Sequence, residues 1–434
     1  METGTHRAGR SRPRDSLQRS WDDRATGAAL RDGIGDGTTG PATRRQNACA
    51  DGAADGIGRE RTAGGENGAS PGSETRIDAG PVDGLADRPG NAQGRSEGAA
   101  SGYAGRSGSG NAHGIAKGGD ILAALDLGTN NCRLLVARPT DRGGFRVIDA
   151  FSRIVRLGEG VGASGQLADG AIERTLEALK VCGAKIRRRR VTRFRAVATE
   201  ACRRARNGPE FLRRVEQETG IALEVISTTE EAGLALAGCA PLLDPRVPGS
   251  LVFDIGGGST ELAWSRGRLG VEPAAVTSIP IGVVTLAETY GGDRYGPGVY
   301  ERMIEDVAIW LRAYEREHAI AAEVEAGRVQ VVGTSGTVTT LAGVHLNLPR
   351  YVRDRVDGLF LNVADTLAIG RRLADQSFEG RAAHPCIGRE RADLVVAGCA
   401  ILEAICRQWP VTRMRVADRG VREGILFGLI AGAS

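Results

Sequence analysis

Apolar residues are arranged differently in the two parts of this chain. From Met1 to about Gly119 single hydrophobes are scattered among Gly, Ala, Arg, Asp and Ser, with no period of 2 or 3.6. Stretches such as "GSGNAHGIAKGG" cannot bury enough apolar surface to offset backbone ordering, so residues 1–118 read as a disordered tail. From there on, compact apolar runs and amphipathic stretches take turns. "ILAALDLG" (121–128) reads as a buried strand ending in a turn, "NCRLLVARP" as a second strand and "GFRVIDAFSRIVRLG" as a third. Ile172, Leu176, Leu179 and Val181 then recur at helical spacing. Strand "RFRAVAT", helix "PEFLRRVEQETG" closed by Gly220, strand "IALEVIS" and helix "TTEEAGLALAGCAPLL" capped by Ser227 or Thr228 follow. Such alternation predicts an α/β layered domain.

"SLVFDIGGGSTELAWSRG" interrupts it with strand, Gly turn, strand. The opening "ILAALDLGTNNCRLLVARP" has the same form, with Asp126 and Asp254 in the same place in each copy. One supersecondary unit used twice points to two related lobes facing each other. Beyond it come helices around "GVVTLAETY" and "GVYERMIEDVAIWLRAYEREHAI". "RVQVVGTSGTVTTLAG" reads as strand, loop and helix. "LNVADTLAIGRRLAD" and "ERADLVVAGCAILEAICRQW" read as helices, "RMRVADRG" as a strand and "VREGILFGLIAG" as the last helix.

Composition narrows the setting. The ordered part, about 315 residues, suits two domains of ordinary size. No apolar run is long enough to cross a bilayer, and no signal-peptide segment is present. Asp15, Asp22, Asp23 and Asp32 argue against a transit peptide. The eight cysteines lie apart, without a CxxC pair or Cys/His cluster. They read as reduced thiols of a cytoplasmic protein, and a zinc site is not expected. Net charge is +4, but "KIRRRRVTRFRAVATEACRRARN" (185–207) concentrates Arg against few acids. This run reads either as a solvated basic surface or as the path of a polyanion. Phe194 is its lone aromatic, so nucleic acid is not the expected partner.

Three Gly-rich loops carry the chemistry: "DLGTNN" (126–131), "DIGGGST" (254–260) and "GTSGT" (333–337). Loops that follow strands aim successive N–H groups at one point and bind anions, and a helix opening at such a loop adds its own donors. Glycine lets phosphate approach the main chain. Thr129, Ser259, Thr260 and Thr337 add hydroxyls, and Asp126 and Asp254 are the hard oxygen ligands that Mg²⁺ shares with phosphate. A single such turn is an ordinary hairpin turn; three in one chain, two of them duplicates with the same acid, point to a cleft. No Ser/His or Cys/His nucleophile pairing is visible.

These loops resemble the phosphate motifs of the actin-like superfamily. With "RIVRLGEGV", "VATEACRRARN", "VISTTEEA", "GRERADLVVAG" and "VADRGVREGIL", they resemble the exopolyphosphatase / guanosine pentaphosphate phosphohydrolase family in its short, two-domain form. The resemblance implies an α/β fold of two ribonuclease-H-like, actin-like lobes, 119–247 and 248–434, around a phosphate-binding cleft. It also implies that the last helix returns to the first lobe. Glu231 and Glu261 are the implied catalytic acids, and Asp126 and Asp254 the metal ligands for Mg²⁺ or another divalent cation. The implied phosphate contacts are Gly128, Thr129, Asn130, Arg203, Gly256, Gly257, Gly258, Ser259, Thr260, Gly333, Thr334, Ser335 and Gly336. Inorganic polyphosphate is the implied substrate, with guanosine pentaphosphate as the alternative. An actin-like kinase or nucleotide-binding regulator is the third reading, and a homodimer stays open.

Overall fold

The computed structural model describes residues 119–432 apart from 142, 267–274, 293–294 and 297; the expected disordered tail lies outside the described residues. β1 (Leu122–Leu127), β2 (Asn131–Pro139), β3 (Phe145–Ile154), β4 (Arg193–Ala198) and β5 (Glu224–Val225) form one sheet in the order β3-β2-β1-β4-β5. A second contains β6 (Gly249–Ile255), β7 (Thr260–Arg266), β8 (Ala275–Ile279), β9 (Val329–Thr334), β10 (Phe360–Asn362) and β11 (Arg413–Ala417). Its order is β10-β11-β9-β6-β7-β8. The two share one plan. β1-β2-β3 and β6-β7-β8 are antiparallel meanders, and β4 and β9 add parallel to β1 and β6. Asp126 stands opposite Arg133, and Asp254 opposite Glu261, at matching places in the two hairpins.

Apart from Asp126 at its cleft end, β1 is apolar because both its faces are covered. Ala123, Leu125 and Leu127 pack with Leu176, Leu179 and Phe211 from the helices Asp169–Arg188 and Gly208–Thr219. Leu122 and Ala124 pack on the other side with Ile425, Leu426 and Leu429 of the last helix, Val421–Ala431. That helix also lies against Thr228–Cys239, and here two glycines let the backbones meet. A Cβ on Gly238 would stand 2.1 Å from the Gly420 carbonyl oxygen, and one on Gly424 2.1 Å from that of Leu234. Leu236 and Cys239 of the same helix join Val252, Ala263 and Val332 under the second sheet. Thr228–Cys239 thus touches both sheets, and the Ser227 hydroxyl caps it by accepting from the Glu230 amide.

Three local expectations change. "IALEVIS" contributes only the two-residue edge strand β5, and β8 and β10 were not anticipated. β10 has three residues, too few to show a period. The basic run spans the first sheet: Arg193 pairs with Leu122 and Ala198 with Leu127 across parallel strands, so Lys185–Arg193 sits at the start of the sheet and Thr199–Arg203 at the end that carries Gly128. Asp149 on β3 receives Lys185, Arg188 and Arg189 at 2.6, 3.1 and 2.8 Å. These cations, Lys185 foremost, hold the Asp149 carboxyl well below the usual range.

Candidate active site

The ends of β1, β6 and β9 bring the three Gly loops to one cleft, the place where open α/β sheets bind ligands. The first two loops touch. A Cβ on Gly257 would lie 2.9 Å from Thr129 Cβ, and one on Gly258 2.8 Å from Thr129 Oγ1. Gly282 is pressed onto the same turn, 2.4 Å from the Gly257 carbonyl carbon by the same measure. The glycines of "DIGGGST" are therefore required by loop-on-loop packing as well as by any phosphate. Ser335 stands in the third loop at φ 96°, directly before the helix Gly336–His345. The cavity is about 130 Å³, room for several waters or for a phosphate with part of its hydration.

Asp126, Gly128, Thr129, Asn130, Glu231, Asp254, Gly256, Gly257, Gly258, Ser259, Glu261, Ser335 and Gly336 all line this cleft. Four residues expected to meet phosphate are placed otherwise. The Thr260 hydroxyl donates to the Ile281 carbonyl at 2.7 Å and is fully buried. Gly333 lies against the Phe253 ring, where a Cβ would be 2.6 Å away, and the Thr334 hydroxyl donates to the Arg419 carbonyl. Arg203 is spent on neighbours: Glu200 at 3.0 Å, Glu231 at 2.8 Å and the Ile226 carbonyl at 2.8 Å. Its contacts place it behind the carboxylates, holding them. Glu230, adjacent to Glu231, pairs instead with Arg195.

Thr337, expected to add a hydroxyl, lines the cleft too, whereas Asn131, Arg133, Thr199, Glu200, Thr340 and Arg391 were not singled out from the sequence. Arg133 had a readable signal. Superposing the two hairpins puts it at the position that Glu261 holds in the second copy, seven residues after the shared Asp. Arg391 lies in "GRERADLVVAG", a segment that carried the resemblance without pointing to this side chain; its Nη1 donates to Thr340 Oγ1 at 3.2 Å.

The electrostatics are those of acids crowded away from water. Burial pushes Asp254 up to about 6, with the Arg133 charge opposing and Asp126 adding to the rise. Burial likewise pushes Glu261 up to about 7, although Ser259 and Ser278 donate to it at 2.6 and 2.9 Å. Asp126 is raised by burial against the pull of Arg133 and Arg422. Glu231 is raised well above the usual range by burial and then by the charge of Glu261, with Arg203 opposing. Although Arg203 stands 2.8 Å from Glu231 Oε2, that oxygen receives no well-directed hydrogen bond. The buried Asn130 Oδ1, Asn131 Oδ1 and Ser335 Oγ also lack partners, and all four atoms belong to residues lining this cleft. Buried polar atoms are rarely left unpaired, so four at one cavity mark the seat of a ligand.

Among the described residues no group of three or more His, Cys, Asp or Glu is arranged as a metal cage. Mg²⁺ asks for less: one or two carboxylates, with waters and substrate phosphates completing its octahedron. Asp126 and Asp254, both raised by burial and Asp254 further by the charge of Asp126, fit that donor set. The cation-free protein should show their strain in its stability. Between about pH 4 and pH 6 the unfolded chain loses an Asp254 proton that the folded chain keeps, so stability falls across that window and levels above it. Asp254→Asn is therefore expected to stabilise the metal-free protein at pH 8, by at most about 3 kcal/mol, and to leave it unchanged at pH 4. Thermal melts at the two pH values check this; equal effects at both would remove the cause.

Comparison with known proteins bears on the same residues. The sequence matches the Ppx/GppA phosphatase family over residues 135–432. The crystal structure of the Aquifex aeolicus member of that family is 31% identical, with 72% of this chain and 97% of that chain covered and a TM-score of 0.59. An exopolyphosphatase-like protein is 28% identical over 71% of this chain and 98% of its own, with a TM-score of 0.63. The fold is shared also with an exopolyphosphatase from Cytophaga hutchinsonii, at 24% identity, 73% and 99% coverage and a TM-score of 0.64. Among the described residues no helix is long and apolar enough to cross a membrane. A match that takes in much of the first sheet, all of the second and two of the three Gly loops settles the kinship: this chain belongs to the Ppx/GppA phosphatase family, whose members are hydrolases.

Proposed function

We propose that this protein is an exopolyphosphatase, removing the terminal phosphate of inorganic polyphosphate by hydrolysis. One observation supports it above the others: the cleft gathers unpartnered polar atoms, buried carboxylates and the cations Arg133 and Arg391 at a single point. Phosphoanhydride hydrolysis is mainly positioning and charge compensation, and needs no covalent nucleophile. Loop amides and hydroxyls around Thr129, Ser259 and Gly336 hold the terminal phosphate, and Arg133 faces its oxygens. Glu231, held from behind by Arg203, takes a proton from the attacking water as the water oxygen bonds to the terminal phosphorus; the bridging P–O bond breaks and the shortened chain leaves with its electrons. Glu261 and Arg203 fix the site from behind. A divalent cation at Asp126 and Asp254 would offset charge on the phosphate oxygens.

The alternative substrate, guanosine pentaphosphate, would bring a purine. No aromatic side chain lies among the described residues lining the cleft, so nothing there stacks on a base. The test is phosphate release with Mg²⁺ from long polyphosphate and from guanosine pentaphosphate, compared as kcat/KM. A higher value for polyphosphate is expected; a higher value for the nucleotide reverses the assignment. Stabilisation by ATP with no phosphate release from either would favour the kinase or regulator reading.

The first part of the basic run, Lys185–Arg193, is left out of this reading because it lies at the end of the first sheet away from Gly128. Replacing Arg187–Arg190 by Ser is expected to leave KM for long polyphosphate within about two-fold, as for residues outside the binding path. A large rise in KM, absent for short chains, would show that the polymer wraps that far.

A further inference from the structure

The segment "RIVRLGEGV" (153–161) lies outside the three Gly loops, yet it grips the first of them. The amides of Val155 and Arg156 both donate to the Asn130 carbonyl, at 2.9 and 3.1 Å, and that of Gly158 to the Thr129 carbonyl at 2.9 Å. The fit is close, since a Cβ on Gly158 would stand 2.2 Å from Thr129 Cγ2. Arg156 itself sits at φ 50°, a conformation that side chains other than glycine take only when their surroundings enforce it. What it reaches from there belongs to the other half of the molecule. Its guanidinium forks onto Asp393, Nη1 to Oδ2 at 2.7 Å and Nη2 to Oδ1 at 3.2 Å, and Nη2 also donates to the Glu390 carbonyl at 3.2 Å.

Arg391 stands between those two acceptors. The segment around it is a tight series of turns, in which the Leu394 and Val395 amides both donate to the Arg391 carbonyl, at 3.0 and 2.9 Å. Moving Asp393 therefore moves Arg391. A second crossing lies nearby, where the Gly160 amide donates to Glu288 Oε1 at 3.0 Å. The same nine-residue segment thus holds the back of Thr129 and Asn130 and ties across the cleft at two points.

We propose that Arg156 is a positioning residue: its fork onto Asp393 sets the distance between the Thr129–Asn130 loop and Arg391, so that both meet one phosphate only when the fork is closed. This rests on the reading of the cleft as a phosphoanhydride hydrolase, whichever of the two substrates it prefers. A planar fork matched to a carboxylate fixes direction as well as distance, which a lysine cannot do. The pair is partly exposed, at 33% and 20%, so it contributes little to folding stability and its loss should appear in turnover.

The test is a double-mutant cycle of Arg156→Gln, Asp393→Asn and the double variant, with Arg156→Lys beside them. Each single change is expected to lower kcat by ~10- to 100-fold, the scale of losing a near-attack geometry, with KM within a few-fold. The double variant should be no slower than the slower single one, and Arg156→Lys, with charge but no fork, should also be slowed. Normal kcat in either single variant, or losses that multiply in the double, overturns the tie. Hydrogen exchange gives an arm that needs no activity. In folded Arg156→Gln the amides of Val155, Gly158, Leu394 and Val395 should exchange ~10-fold faster or more, and unchanged protection on either side overturns the proposal. Failure of the parent protein to release phosphate from any phosphoanhydride would sink the hydrolase reading instead, leaving the exchange result to judge the tie.

Discussion

Glu231→Gln is expected to keep substrate affinity and to lower kcat by ~100-fold or more, the loss that follows removal of a positioned base. The site offers four other acids that could be mistaken for it. Glu261 already accepts from Ser259 and Ser278; Glu200 and Glu231 share Arg203 as ion-pair partner, but Glu200 accepts directed hydrogen bonds from it whereas Glu231 Oε2 accepts none. Asp126 and Asp254 end the strands at the floor of the cleft, where a cation is the fitting partner. Gln has the shape of Glu and removes a charge that burial disfavours, so the variant should fold at least as well as its parent at pH 8. Phosphate release at saturating substrate, with KM from the same data, decides the matter. Near-normal turnover would transfer the role of base to Glu261 or Glu200.

Gly424→Ala is expected to destabilise the protein by about 3 kcal/mol or more, the upper range for overpacking a tight contact. The added methyl would lie 2.1 Å from the Leu234 carbonyl oxygen and 2.8 Å from its carbonyl carbon. Both are backbone atoms inside a helix, so no rotamer change relieves the clash and the two helices must part. Leu234 is one turn from Glu231, and Gly420 is close enough that its Cβ would be 3.7 Å from Asp254 Oδ2. Separation therefore shifts the proposed base relative to the cleft floor, and kcat should fall together with the melting temperature. An unchanged melt would mean the helices have slack at this contact.

The doubled hairpin was legible because its signal is local: an apolar strand, Asp, a glycine turn and a second apolar strand. Strands of one sheet and helices over both faces followed from period and alternation. The misplaced residues share one cause. "DIGGGST" and "GTSGT" are contiguous as letters, whereas residues entering or leaving a strand alternate between its faces. Glu261 faces the cleft, so its neighbour Thr260 turns to Ile281, and Gly333 belongs to the Phe253 side of β9. Arg203 was assigned from the resemblance of its motif, but which anion an arginine meets depends on Glu200 and Glu231 arriving beside it. Where the basic run begins was not legible either. Charge density says nothing about which end of a sheet it occupies; the parallel register of β1 and β4 does. Arg156 and Asp393, 237 positions apart, can be paired only by the fold.

The closing helix, Val421–Ala431, covers a face of the sheet that begins at Leu122. About 300 residues separate the two in the chain, and at a ribosomal rate of ~5–20 residues per second that is on the order of 15–60 s of synthesis. Throughout that interval Leu122, Ala124, Leu135 and Val197 have no Ile425, Leu426 or Leu429 to cover them. The lobe made first is thus the lobe finished last, and its bare apolar face is what a chaperone, or another nascent copy, would meet while the second lobe is still being made.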